Sequence, residues 1–250
     1  MFRVLSLRSY QTRDNLPQYL AVGNGIQLAS GCDAIFLKRY AEYSCLYGDC
    51  EVKADACIPI NDVKYPKMVD LMNVKYVVSS MDLNDSSMEF VLGDAKTQLY
   101  KNKDYMERAF FATRFKNARS DEVLSFLTDK NFEPRDYVIL EDADDLQEIT
   151  GLRVYKGVRI TKYSQNKVVI EDDFEADGIV VLSDVNYPSW KAYVDGKETK
   201  IYNANYIMKA VYVDKGNHKI EFTYMPLYYK TGLYLSGFSV IVVLLLIFLL

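Results

Sequence analysis

Trp190-Lys191-Ala192-Tyr193-Val194-Asp195-Gly196-Lys197-Glu198-Thr199 decides the reading of this chain. Side chains alternate on both flanks of Asp195-Gly196, and the Asp-Gly pair suits a two-residue type I′ turn, in which both central positions need positive φ. The stretch is therefore a β-hairpin. Working outward, the period of two holds from Gly151 to about Tyr224. Val154–Tyr163, Lys167–Glu171, Ile179–Ser183, Trp190–Val194, Thr199–Tyr202, Ile207–Val213 and Lys219–Tyr224 read as strands, with turns at Asn166-Lys167 and Lys215-Gly216-Asn217. Short strands with regular turn punctuation predict an antiparallel β-sandwich over 151–226.

Downstream, Pro226 stops the last strand. From Gly232 to Leu250 there is no charged residue, and at about 1.5 Å per residue this run reaches roughly 28 Å, close to the thickness of a hydrocarbon core. It predicts a transmembrane helix within 227–250. Ser236 and Ser239 are tolerable there because their hydroxyls bond back to the backbone. Tyr228, Tyr229, Lys230 and Tyr234 form the aromatic and basic collar expected where such a helix meets water. The localisation expected is the cell membrane, with membrane lipid as a partner.

Upstream, residues 1–150 predict a mixed α/β domain, so the fold class expected is α+β. Phe2–Leu7 alternates as a strand, and Asn15-Leu16-Pro17 can open a short helix. Ala34–Tyr47 reads as a helix in which Lys38 and Glu42 pair. Lys67–Met72 reads as a helix leading into a Val74–Val78 strand. Ser120–Lys130 is expected as a helix capped by Ser120, with Val123, Leu124, Phe126 and Leu127 on its buried face. Tyr137–Glu141 follows as a strand, and Glu141–Glu148 as a solvated acidic connector.

Composition narrows the function. The net charge is −4, with 30 basic and 34 acidic residues, and no basic stripe exists to replace the counterions of a nucleic acid. Tyrosine is abundant at 21, against 12 Phe and 1 Trp; its apolar ring and polar tip suit half-buried strands, interfaces and sugar-contacting surfaces. Cys32, Cys45, Cys50 and Cys57 lack the paired spacing of common zinc sites, and the one histidine, His218, lies far from them. Two disulfides are possible, with three connectivities that the sequence does not separate; a local bridge such as Cys45–Cys50 would fit an oxidising compartment, and buried free thiols are the alternative. No cofactor motif is present: Gly23-Asn24-Gly25 lacks the rest of any phosphate-binding loop. No metal site and no cofactor are expected.

No nucleophile constellation is visible either, since Ser183 and Ser189 lie in no G-x-S-x-G elbow. Asp172-Asp173 reads as a charged turn rather than a catalytic pair. The catalytic residues expected in this chain are none. The binding candidates are Tyr187 and Trp190, beside Pro188, as a platform for a sugar ring, and Asn203 and Asn205, whose amides can read hydroxyls. Each has a plainer role available. Trp190 can anchor a core, and the two asparagines can hold a loop.

Val185-Asn186-Tyr187-Pro188-Ser189-Trp190-Lys191-Ala192-Tyr193-Val194-Asp195-Gly196-Lys197, with Asn203-Ala204-Asn205-Tyr206, Val211-Tyr212-Val213 and Lys215–Pro226 running into the apolar helix, resembles the C-terminal extracytoplasmic region of the YfhO-like bacterial membrane protein family. Arg3-Val4-Leu5, Gly31–Ile35 followed by Arg39-Tyr40, and Leu71–Val78 look like the same family's soluble domain. The resemblance implies a large polytopic protein similar to GT-C glycosyltransferases, which use lipid-linked sugar donors, with a role in glycosylating envelope polymers such as lipoteichoic acid. It implies that the soluble part faces outward, and that its partners are a glycan or lipid-linked sugar and the rest of a polytopic membrane protein. The acidic catalytic residue of that class would lie upstream, so none carries over. Ser189 departs from the family's usual Gly, and the cysteine cluster is not a family feature. A membrane-anchored assembly or protein-interaction module is the alternative. The Met1–Leu7 segment lacks the apolar core of a secretory signal, which also permits a tail-anchored cytosolic protein.

Overall fold

The computed structural model describes residues 1–7, 16, 18–30, 37–48, 50, 60, 62–147, 153–226 and 228–249. Cys32 and Cys57, together with the expected helix opening at Asn15 and Pro17, lie outside the described residues.

Three sheets account for the strands. The first joins β1 (Arg3–Ser6), β2 (Val74–Ser79), β3 (Met88–Gly93) and β4 (Gln98–Asn102) in the order β1-β2-β4-β3. Helices α1 (Gln18–Gly23), α2 (Lys38–Tyr47) and α3 (Pro66–Leu71) precede β2 in the chain. Lys38 and Glu42 sit 3.6 Å apart on α2 as expected, and Cys45 is disulfide-bonded to Cys50.

The second sheet has seven strands. They are β5 (Ala109–Ala112), β6 (Phe115–Ala118), β7 (Val138–Glu141), β8 (Tyr155–Gly157), β11 (Gly178–Val185), β14 (Tyr202–Ala204) and β15 (Met208–Val213), in the order β6-β7-β14-β15-β11-β5-β8. The third runs β13-β12-β16-β10-β9 and comprises β9 (Ile160–Ser164), β10 (Lys167–Phe174), β12 (Trp190–Val194), β13 (Lys197–Thr199) and β16 (Gly216–Tyr224). The fold is α+β with a sandwich, as the sequence predicts. The seven-stranded sheet draws on both sides of residue 150, so strand pairing joins the two stretches of chain that the sequence separates.

Packing explains the order. Phe111, Val180, Leu182 and Val211 from the seven-stranded sheet meet Val168, Ile170, Phe174, Ala192, Ile220 and Phe222 from the five-stranded sheet in one core. The other face of the seven-stranded sheet, with Phe110, Ile179, Val181 and Ala210, closes a larger core against the first sheet and the helices. A sheet covered on both faces needs an unbroken apolar strand, which is why Ile179-Val180-Val181-Leu182 does not alternate. Each large side chain buried this way contributes about 1.5–3 kcal/mol.

The structure corrects several local expectations. Val154–Tyr163 is two strands. The chain leaves the seven-stranded sheet after Gly157 and enters the five-stranded one at Ile160, and a similar crossing between Thr199 and Tyr202 divides the expected Thr199–Tyr202 strand. The helix α4 (Ser120–Leu127) is capped by Glu122, whose carboxylate accepts from the Arg119 N–H at 3.2 Å; Ser120 is its first helical residue, and the helix stops at Leu127 rather than Lys130. The acidic connector is tied down. Glu141 is buried and pairs with Arg39, while Asp145 holds Lys200 at 2.7 Å and Tyr202 at 2.8 Å. Asp172 and Asp173 belong to β10 rather than to a turn. The Asp195-Gly196 hairpin is as read, with φ of 51° and 81° and Val194 paired to Lys197.

Helix α5 (Tyr229–Leu249) follows β16 after four residues. Its window Thr231–Phe248 is apolar and wholly unburied. At about 1.5 Å per residue this window measures about 27 Å, and it is the one candidate membrane span among the described residues.

Candidate functional site

Antiparallel pairing gives the sandwich two distinct ends. Strand β16 leaves the sheet at Tyr224, directly opposite Trp190, the first residue of β12. The Met225 N–H donates to the Ser189 carbonyl at 3.1 Å, and the Tyr224 N–H donates to the Asn166 carbonyl at 2.9 Å. Loops 164–167 and 186–189 are thereby fastened to the residues that lead into α5. This is the helix-proximal end.

Three aromatic rings gather there. Trp190 lies 5.4 Å from Tyr224 between ring centroids, and Tyr187 lies 6.4 Å from Tyr224. Ser189 holds the turn at φ 82°, a left-handed conformation that glycine adopts more freely. Trp190 is half-buried and Tyr187 is 45% exposed.

Behind Trp190 stands Lys209 on β15. It is fully buried, its Nζ lies 3.5 Å from the Trp190 ring centroid, and it has no hydrogen-bond partner among the described residues. Burial pushes its ammonium pKa down to about 8; Asp184 opposes the shift, and Arg108 and Arg3 reinforce it. A cation over a desolvated indole recovers on the order of 2 kcal/mol, part of what removal from water costs.

One carboxylate then ties the three sheets together. Asp184, near the end of β11, accepts from Arg3 of β1 at 2.9 Å, from Arg108 Nε at 2.7 Å and from the Tyr163 hydroxyl of β9 at 3.0 Å. Arg108 also donates to Gln27 at 2.8 Å, and Arg3 to the Met72 carbonyl at 2.7 Å and to Ser183 Oγ at 3.2 Å. Burial raises the Asp184 pKa, but Arg108 and Arg3 outweigh it and hold the carboxyl below its usual range. Beside this junction lies a cavity of about 240 Å³ lined by Arg3, Tyr40, Ser183 and Asp184.

The four residues singled out from sequence divide. Tyr187 and Trp190 come together through Tyr224. Asn203 joins them indirectly, because its Oδ1 accepts from Asn186 Nδ2 at 2.6 Å, one residue before Tyr187. Asn205 sits in the wall behind, 1% exposed at φ 46°. Its Oδ1 accepts from the Ile139 N–H at 3.0 Å and its own N–H donates to the Ile139 carbonyl at 2.8 Å, which fixes β14 to β7. Sequence reasoning passed over Tyr224, Lys209 and Asp184. Lys209 carried a signal: in alternation with Ile207, Val211 and Val213 it falls on the core face of its strand.

At the other end, His218 Nδ1 and Asp195 Oδ2 are 2.6 Å apart, and Asp195 also accepts from the Lys219 N–H at 2.8 Å. An open groove of about 640 Å³ runs past them, lined by Arg159, Asp172 and Asp173 among others. Ser183 instead donates to the Leu71 carbonyl, so no Ser–His–Asp arrangement forms with His218. Among the described residues no group of three or more His, Cys, Asp or Glu side chains could hold a metal ion.

Comparison with known proteins gives one positive finding. Residues 138–236 match the model of the family described as Bacterial membrane protein YfhO. The matched stretch runs from β7 through the sandwich and the aromatic end into the first part of α5. Neither the curated proteins nor the solved structures contain a match.

Proposed function

We propose that this chain is a membrane protein of the YfhO family and carries its folded head on the outer side of the membrane, as the extracytoplasmic part of a GT-C-like glycosyltransferase acting on cell-envelope polymers. The head covers the membrane-embedded site and contacts the glycan or the lipid-linked sugar through Tyr187, Trp190 and Asn203, with Asn205 holding the loop wall behind them. The chemistry itself belongs to other parts of the protein. The observation that carries this reading is the aromatic cluster at the one end of the sandwich that is tied to α5. An exposed tyrosine beside a half-buried indole offers the flat apolar face on which a sugar ring stacks, and the Asn186–Asn203 pair supplies amides for its hydroxyls. The Cys45–Cys50 disulfide supports the outer side, where such bonds persist.

The test is titration of the full chain in lipid nanodiscs with envelope glycans, following Trp190 emission. Saturable binding is expected, and Tyr187→Ala should weaken it by about tenfold, or about 1.4 kcal/mol. No binding to any envelope glycan, together with full activity of the intact membrane protein after Tyr187 and Asn203 are replaced, would defeat the reading.

A second reading, an envelope assembly module, rests on β3. It is an edge strand of the first sheet, and its Phe90, Val91 and Leu92 are 57%, 44% and 61% exposed. An open apolar edge is a template for a partner's strand. Cross-linking from β3 in cells that yields protein adducts, without glycan adducts at Tyr187, would favour it.

A further inference from the structure

We propose that the helix-proximal loop Asn186–Ser189, with Trp190, Tyr224 and Met225, is seated in the phospholipid headgroup layer of the bilayer that α5 crosses. The head then rests on the membrane in one fixed orientation.

The first support is reach. Tyr224 and Tyr229 are five positions apart, a span of at most about 18 Å, and the Met225–Ser189 hydrogen bond removes slack from the first step of it. Loop 186–189 therefore cannot stand far from the start of the apolar helix. The second is surface chemistry. Tyr187 is 45% and Met225 52% exposed, and Tyr228 and Tyr229, which follow within four positions of Met225 at the start of α5, are exposed as well. Tyrosine and tryptophan favour the headgroup level, where the ring meets acyl chain and the polar tip meets water.

The third support is charge. Segments 162–167, 186–191 and 224–231 contain no Asp or Glu, and they carry Lys162, Lys167, Lys191 and Lys230. The opposite end gathers Asp172, Asp173, Glu175, Asp177, Asp195 and Asp214 on its strand ends and turns, against Arg159, Lys197, Lys215 and Lys219. An anionic lipid surface favours the first end over the second. Lys167 and Lys191 are paired with Glu221 at 2.6 Å and Glu198 at 2.8 Å, so charge adds less than the exposed aromatics, which, fixed this close to a membrane helix, fit a lipid interface as their partner.

Trp190 is the one tryptophan of the chain, so the unmodified protein reports its own depth. Full-length chain is reconstituted in nanodiscs of phosphatidylcholine and phosphatidylglycerol, with bromine on the acyl chains either near the carbonyl or near the methyl end. Loss of Trp190 emission is expected, stronger for bromine near the carbonyl. Two further chains in the Trp190→Phe background map the orientation: Tyr187→Trp should be quenched, and Glu175→Trp, at the far end of β10, should not. Equal emission of Trp190 in brominated and plain lipid would overturn the proposal. So would equal quenching at positions 187 and 175, which would mean that the head lies on its side. The inference rests on α5 crossing the bilayer and not on the sugar reading; the assay contains no sugar, so a failed glycan titration leaves its result unchanged.

Discussion

The two ends of the sandwich are built from the same strands and differ in nearly every chemical respect. At the helix-proximal end the outward segments lack acids, while one carboxylate, Asp184, is drawn inside to meet Arg3 and Arg108 with Lys209 close by. At the far end the acids lie at the surface, and their partners are the N–H groups of exposed Lys215, to Asp177, and Lys219, to Asp195, with the half-buried His218 ring against Asp195. The difference teaches where this fold places its electrostatic cost. Buried charges are expensive to hold and more expensive to strip of a partner, whereas exposed pairs contribute about 0–1 kcal/mol each. The proximal end has taken on buried charge and keeps acids out of its outward segments, where Lys167 and Lys191 reach back to Glu221 and Glu198; the far end leaves its acids at the surface.

Substitutions can break that contrast, beginning at the proximal end. Asp184→Ala leaves two arginines and a lysine without their common anion and parts the junction of three sheets. It should lower unfolding free energy by about 3–5 kcal/mol, read by denaturant titration in detergent micelles. A loss under 1 kcal/mol would mean that the junction is decoration.

Lys209 sharpens the comparison through pH. Burial lowers its pKa to about 8 in the fold, from the 10.5 usual for a lysine in water. Below pH 8 both folded and unfolded chains hold the proton, and the cost of burying the ammonium is present in full. Between pH 8 and about 10.5 the unfolded state binds more protons, so this group's contribution to stability rises with pH. The rise is at most about 3 kcal/mol. Lys209→Met should abolish it and leave the protein as stable or more stable at pH 7, because an apolar replacement of similar volume removes the charge instead of orphaning it. An unchanged pH profile in the variant would show that Lys209 is not the group responsible.

Surface sites at either end, Gly196 in the far hairpin and Lys191 beside Trp190, should respond weakly. Gly196→Ala meets no atom within 4 Å, so its only penalty is the positive φ of 81°, about 1 kcal/mol. Lys191→Ala breaks an exposed pair with Glu198 and should cost under about 1 kcal/mol, less at high salt. A loss at position 191 as large as that at Asp184 would erase the distinction between buried and exposed charge.

How much of this was legible in sequence follows from the range of the interactions. The Asp195-Gly196 hairpin and the apolar helix are local, and each was readable within a dozen residues. The strand crossings near Val158-Arg159 and Lys200-Ile201 were not, because a chain that changes sheets keeps a period of two on both sides of the break. Arg119 and Glu122 replaced Ser120 at the helix cap through a side chain that reaches back three residues, a geometry that composition alone does not distinguish. The Asp184 junction lay furthest from view. Arg3 and Asp184 are 181 positions apart in the chain, and no local pattern announces such a pair. Tyr187 and Trp190 were visible as an aromatic pair beside a proline. Their third ring, Tyr224, needed the β12–β16 register.

The central claim is orientation: the head stands with its tyrosine and tryptophan end on the bilayer and its acidic end away from it. Energy transfer tests this most directly. A donor fluorophore is placed at Gln165, in the proximal turn, or at Glu175, at the far end of β10, and acceptors are attached to lipid headgroups in nanodiscs holding the full chain. The two sites are separated by the length of β10, about 27 Å at 3.3–3.4 Å per residue. Strong transfer from Gln165 and weak transfer from Glu175 is the predicted result. Equal transfer from the two sites, or stronger transfer from Glu175, would contradict the account.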